Sequence, residues 1–205
     1  GDKDILGHRC SWRQYEMTQA YVPGDVDRVG YDARMIDTTA AVGWQECYSP
    51  FHPVTRAEDA QYRIRQLAFV KDYGQITGTE HVADWTVPVI HYAEAPATFV
   101  RFFPNPLPPR AKLIPVPIAV PAEYRQVVLN EQLRLPLWQL VFHDAVIITN
   151  RWDWTPNRYV DKGDWEKEDL INLLHGQMPT MLADRANFEA HPERFARTFN
   201  AVCRW

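Results

Sequence analysis

The stretch QITGTEHVADWTVPVIHY, residues 75–92, decides how the chain is read. A short extended run, Gln75-Ile76-Thr77-Gly78, stops at Thr79-Glu80-His81 and is followed by Asp84-Trp85. A carboxylate, an imidazole, a second carboxylate and an indole at the end of one strand add little stability, because burying unpaired charge is costly. The same residue types are what acid–base chemistry and ligand contact require. The plain alternative is a solvated loop.

The segment before this stretch gives it a partner. TRAEDAQYRIRQLAFVKDYG, residues 55–74, is the clearest helix of the chain. Thr55 and Glu58 have the spacing of a capping box. Ala60, Ile64, Leu67, Ala68 and Lys71 follow helical spacing and place an apolar stripe on a core. Gly74 ends the helix. Upstream, ARMIDTTAAV, residues 33–42, reads as a short buried strand interrupted by Asp37. Strand, helix, strand is a βαβ signature, with two parallel strands joined by a right-handed crossover. In such units ligands gather at the carboxyl ends of the strands. Asp37 and Glu80 therefore project from one rim, on the two strands that the helix connects.

The rest of the chain is less regular. Residues 1–30 read as mixed, with YVPGDVDRVGYD as loop. A further strand is expected over 86–91. Residues 93–123 are too rich in proline for a central helix and read as a long excursion with an edge strand at 113–119. LPLWQLVFHDAVIITNRWDW reads as a buried strand over 137–149, broken by His143 and Asp144. A helix over 165–175 has Asp164 as its expected N-cap and Gly176 after its end. A last helix, 192–203, opens on Pro192 and carries Phe195, Phe199 and Val202 on one face.

Bulk properties narrow the function. At 205 residues, 46% hydrophobic and 23% charged, the composition is that of a soluble globular domain or a large part of one. A net charge of −4 offers no basic surface for nucleic acid. Neither a polybasic segment for an anionic membrane nor an apolar run of spanning length is present. The N-terminal GDKDILGHRC lacks a signal-peptide pattern. Cys10, Cys47 and Cys203 form no disulfide framework, and with no C-x-x-C pair their spacing argues against structural zinc. Eight Trp and nine Tyr exceed what a core of this size needs. They suit either sugar-stacking walls or the filling of gaps between large elements.

Elimination then favours two carboxylates. The chain has no G-x-S-x-G nucleophile elbow, no H-E-x-x-H pair and no phosphate-binding glycine loop. Paired carboxylates survive, and with the aromatic surplus they suggest glycoside hydrolysis.

The segments MIDTTAA, QECYSPFHPVTRAED, GTEHVADWTVPVIHY, LPLWQLVFHDAVIITNRWDW and DLINLLHGQMPT, in that order, resemble the catalytic barrel of glycoside hydrolase family 129 and its relatives in family 101. The resemblance implies an α/β fold, the C-terminal part of a (β/α)8 TIM-type barrel, with residues 1–205 forming part of one catalytic domain. It implies a retaining α-N-acetylgalactosaminidase-like glycosidase acting on α-linked N-acetylgalactosaminides or related α-galactosides. By the resemblance Asp37 is the nucleophile and Glu80 the acid/base. Asp84, His143 and Asp144 contact the sugar, and Trp85, Trp152 and Trp154 form aromatic walls. The NRWDW loop departs from the Trp-Gly-Asp type associated with the family, which leaves the sugar open.

Such a mechanism requires no cofactor and no metal ligand set, and a structural Ca2+ is compatible with it. The expected partner is a carbohydrate, with neither nucleic acid nor membrane. A complete barrel needs roughly 250 residues, so the rest of the barrel or a second copy is expected to close the fold. The resemblance points to a secreted, cell-surface or periplasmic bacterial protein, with a cytoplasmic one as the alternative. Two other functions stay open on the residues. One is a non-catalytic carbohydrate-binding barrel module. The other is a metal-assisted, carboxylate-dependent barrel hydrolase using Asp37, Glu80, His81 and Asp144.

Overall fold

The computed structural model describes residues 9–94, 119–150, 159–180 and 185–203. The chain divides into two compact units, Gly1–Tyr92 and Ala93–Trp205.

The first unit contains the expected βαβ. Strand β1 is Ala33–Ile36, helix α2 is Arg56–Asp72 and strand β2 is Ile76–Glu80. The two strands are parallel, pairing Ala33 with Ile76 through to Ile36 with Thr79. β1 is shorter than the expected 33–42, because residues 37–41 turn away. The capping box is present in both directions, and Gly74 leaves the helix at φ 89°. The expected strand at 86–91 is instead a 3-10 helix, Asp84–Val89, whose start is tied by Thr86. The Thr86 N–H donates to the Ala83 carbonyl at 2.9 Å, and its hydroxyl donates to the same oxygen at 2.6 Å. Strand β3, Tyr92–Glu94, straddles the boundary between the units.

Two expectations in this unit fail for identifiable reasons. Residues 21–32 are not loop for most of their length: helix α1, Ser11–Val29, runs through Pro23 and ends at left-handed Gly30. It is held by tertiary contact where local propensity is poor. The Trp12 and Tyr62 rings stack at 5.8 Å, and Tyr15 meets Phe69 edge-on at 6.5 Å. Each such aromatic pair is worth about 0.5–1.5 kcal/mol beyond its buried area. Part of the aromatic surplus therefore laces α1 to α2. Helix α2 also turns a different face inward than its apolar stripe suggested. Asp59, Arg63, Gln66, Leu67 and Val70 are its buried residues, one position away from the expected stripe at its start.

The second unit holds helices α3 (Ala122–Val127), α4 (Leu137–Phe142), α5 (Lys162–Leu174), α6 (Arg185–Ala190) and α7 (Pro192–Val202), with the two-residue strand β4 (Ile147–Ile148). Of the expected long strand at 137–149, Leu137–Phe142 is helix α4, residues 143–146 are turn and bend, and Ile147–Ile148 alone is strand. Leu137, Leu140 and Val141 of α4 are exposed, as is Ile147 of β4, so apolar content alone does not mark a buried strand here. Residues 113–118 of the expected edge strand lie outside the described residues. Helix α5 begins earlier than expected: Asp161, not Asp164, caps it by accepting the Gly163 N–H at 2.7 Å. On α7 only Phe195 of the expected apolar face is buried, while Phe199 is 65% exposed.

The core of this unit gathers Val120, Tyr124, Val128, Leu129, Tyr159 and Trp165. Beside Trp165 on α5, Glu168 is buried. Its Oε1 accepts the Tyr124 hydroxyl at 3.1 Å and Asn150 Nδ2 at 3.3 Å. Burial raises its pKa from 4.5 to about 7, against the opposing pull of the tyrosine hydroxyls. Burial likewise raises Asp169 from 3.8 to about 6. A carboxyl raised in this way stabilises the fold fully below its unfolded pKa, and that contribution is lost as pH rises through the folded value. Melting followed across this window should show stability falling from about pH 5 to about pH 8. Glu168→Gln should flatten the slope above about pH 6, leaving at lower pH the part that Asp169 sets. An unchanged slope in that variant would contradict the assignment.

The strands run in an open order and do not close into a ring among the described residues. Met35 on β1 is 41% exposed.

Candidate active site

The last paired row of the β1–β2 ladder is Ile36 with Thr79. Asp37 directly follows that row on the first strand, at the start of the turn, and Glu80 directly follows it as the last residue of β2. Parallel neighbours lie about 4.8 Å apart, and residues of one row share a face of the sheet. Each β2 partner lies 43 positions after its β1 residue, and this is also the separation of the two carboxylates. Both strands leave the sheet in the same way. Thr38 (φ 59°) and His81 (φ 57°), the residues after Asp37 and Glu80, are left-handed and not glycine. Such backbone is strained for a β-branched residue such as Thr and better tolerated by His, and strained positions of this kind cluster at functional sites.

The turn after Asp37 is fixed locally and from below. The Thr38 N–H donates to Asp37 Oδ1 at 3.0 Å. Arg63, buried on α2, donates through Nη1 to the carbonyls of Thr39 (2.9 Å) and Val42 (2.7 Å), and through Nη2 to that of Gly43 (3.2 Å). The same guanidinium pairs with buried Asp59 at 2.8 Å, and Asp59 accepts the Gln45 N–H at 3.0 Å. One ion pair thus satisfies the carbonyls of a loop that has no secondary structure of its own. Asp37 is exposed and borders a cavity of about 340 Å3 between α1 and β1, also lined by Met17, Tyr21, Arg34 and Met35. That volume falls within the usual range of ligand pockets, about 300–1,000 Å3.

Glu80 is partly buried at the end of β2. Its strand carries Gly78 on the same face. A Cβ at Gly78 would lie 2.1 Å from Tyr92 Cζ, so the Tyr92 ring lies directly over the glycine. Burial raises the Tyr92 phenol above its ordinary pKa. The position beside it is held by His91, whose Nδ1 accepts the Thr77 N–H at 3.0 Å and whose own N–H donates to the Thr77 carbonyl at 2.8 Å.

The other candidate residues are placed as follows. Asp84, exposed at the start of the 3-10 helix, accepts the Trp85 N–H at 2.8 Å, and Trp85 is partly buried. His143 and Asp144 belong to the second unit and lie in the turn after α4, both exposed, not within a strand. His143 Nδ1 lies 2.8 Å from the Gln139 carbonyl. Trp152 and Trp154 lie outside the described residues. Sequence reasoning missed Arg63, Asp59 and Tyr92. A glycine inside a strand was the available signal for Tyr92, because it marks a close approach.

Residues 99–202 match the family described as glycosyl hydrolases related to the GH101 family, GH129. Asp37, Glu80, Asp84 and Trp85 precede that stretch. No curated protein matches the chain. Among solved structures, the ligand-free alpha-N-acetylgalactosaminidase NagBb from Bifidobacterium bifidum is similar with a TM-score of 0.62 and 24% identity, over 92% of this chain and 27% of that one. The GalNAc complex of the same protein is similar with a TM-score of 0.60 and 21% identity, over 87% of this chain and 24% of that one. The chain therefore spans about a quarter of these structures, and the likeness at this identity is one of fold.

Proposed function

The chain belongs to the glycosyl hydrolases of family 129, related to family 101, and from this we propose that it carries the catalytic pair of a retaining α-N-acetylgalactosaminidase-type enzyme. The observation that carries the reading is the end of the β1–β2 ladder, where Asp37 and Glu80 leave neighbouring parallel strands through matching left-handed turns. Retaining glycosidases hold their two carboxyls about 5–5.5 Å apart, and neighbouring parallel strands, about 4.8 Å apart, are compatible with that separation.

In the first step Asp37 attacks the anomeric carbon. The bond to the aglycone oxygen breaks, and that oxygen takes the Glu80 proton. A glycosyl ester on Asp37 results. In the second step Glu80, now a carboxylate, takes a proton from water as the water oxygen attacks the anomeric carbon. The ester bond breaks, and Asp37 is released as a carboxylate with net retention. The substrate class is α-linked N-acetylgalactosaminides or related α-galactosides of glycans. The strands are read as part of a (β/α)8 barrel completed by further chain, which the exposure of Met35 and the partial span of the similar structures support.

The test is the full-length protein with an aryl α-N-acetylgalactosaminide, with the first-formed sugar followed by NMR. The α-anomer should appear first and then mutarotate. A β-anomer first would overturn the retaining mechanism. Saturable sugar binding without product would favour the binding-module reading.

A further inference from the structure

We propose that Cys10, Cys47 and His52 form a zinc site that stitches the start of α1 to the turn after residue 46, separate from the carboxylate pair. The three ligand atoms, two Sγ and one ring nitrogen, all lie within 4.8 Å of one another. Cys47 Sγ and His52 Nδ1 are 3.3 Å apart. Around a shared tetrahedral zinc, a thiolate at about 2.3 Å and an imidazole at about 2.0 Å stand roughly 3.5 Å from each other. The two atoms are therefore already at about ligand–ligand spacing.

The backbone holds them there. Cys47 and Val54 exchange two hydrogen bonds, 2.8 Å and 3.0 Å, which close the segment into a hairpin-like turn. Within it the His52 N–H donates to the Ser49 carbonyl and the Phe51 N–H to Ser49 Oγ, both at 3.3 Å. Cys10 comes to the same place as the N-cap of α1. Its Sγ lies 3.7 Å from the His52 carbonyl.

Two thiolates and an imidazole select a soft or borderline cation over Ca2+ or Mg2+. Three protein ligands leave a fourth tetrahedral position for water, beside a cavity of about 220 Å3 lined by Cys10, Cys47, Glu46 and Thr38. The cysteines are 37 positions apart in sequence and show no C-x-x-C spacing, so only the fold brings them together.

The test needs no loss of function. The reduced full-length protein is titrated with Co2+ and then Zn2+. About one Co2+ per chain should bind with a thiolate-to-metal charge-transfer band and tetrahedral d–d bands, and Zn2+ should bleach both. In the unmutated protein, zinc should slow alkylation of Cys10 and Cys47 by about tenfold or more relative to chelator, because a metal-bound thiolate is a poor nucleophile. Cys203, exposed elsewhere, should react equally in both. His52→Ala should abolish the d–d bands, and Cys203→Ser should keep them. Absence of the charge-transfer band, or no protection of Cys10 and Cys47 by zinc, overturns the site. So does a Cys10–Cys47 disulfide that persists as the stable form with zinc and thiol reductant both present.

Discussion

Asp37→Asn in the full-length enzyme should reduce turnover by on the order of 10^4-fold or more, the scale on which loss of a covalent nucleophile registers. The amide keeps the size and the acceptor oxygen that holds the Thr38 N–H, so the turn should survive and melting should change little. Glu80→Gln should behave differently. General acid catalysis contributes about 10^2–10^4-fold, and the loss should fall mainly on substrates whose leaving group needs a proton. With a dinitrophenyl glycoside the first step should proceed, and the glycosyl ester should accumulate because water is no longer activated. An external nucleophile such as azide should then restore turnover. Equal losses on activated and unactivated substrates would remove Glu80 from the acid/base role. An unchanged rate in Asp37→Asn would remove Asp37 from the mechanism.

The largest effect on stability should come from Arg63. Replacing it with Met keeps much of the volume, but strands the buried Asp59 carboxylate and leaves the carbonyls of Thr39, Val42 and Gly43 without their donor. Breaking a buried pair from one side costs roughly 3–5 kcal/mol. Arg63→Lys should recover little, because one ammonium cannot reproduce a planar fork that serves three carbonyls and a carboxylate. Removing the stranded charge as well, in Asp59→Asn/Arg63→Met, should recover part of the loss in chemical denaturation. A double variant no more stable than Arg63→Met would show that the carbonyls, not the carboxylate, dominate. Because the same fork sets the turn after Asp37, Arg63→Met should also lower kcat in whatever fraction remains folded.

The βαβ core was legible because local signals agreed there. The Thr55–Glu58 box, the helical spacing and Gly74 all mark the same element, and the extended runs flanking it pair as expected. Legibility failed where tertiary contact overrides local preference. Pro23 and Gly24 look like a turn, but α1 continues through them because Trp12, Tyr15 and Thr18 are already anchored on α2. Leu137–Phe142 looks like a strand because its residues are apolar, and it is a helix with exposed apolar side chains. The site shows the same division. The spacing of Asp37 and Glu80 could be read in one dimension, whereas Arg63 could not. A charged residue on a helix is read as solvated until the loop that it serves is known. In sequence His143 and Asp144 look like polar intrusions in a strand, whereas in the turn after α4 polar residues are ordinary.

The constant offset of the β1–β2 ladder separates what must be kept from what is free to drift. Asp37 and Glu80 each come one residue after the last paired row, Ile36 with Thr79, so the unbroken ladder below them sets where each chain leaves the sheet. A residue gained or lost in the connection between α2 and β2 changes the count of 43 without moving either side chain, provided the pairing of Ile36 with Thr79 is kept. A residue gained inside β2 would turn Glu80 to the opposite face of the sheet, even though every residue type was retained. Related chains are therefore better aligned by strand pairing than by the distance between their acids, and loop grafting around this pair should tolerate changes of length in the connections but not in the strands.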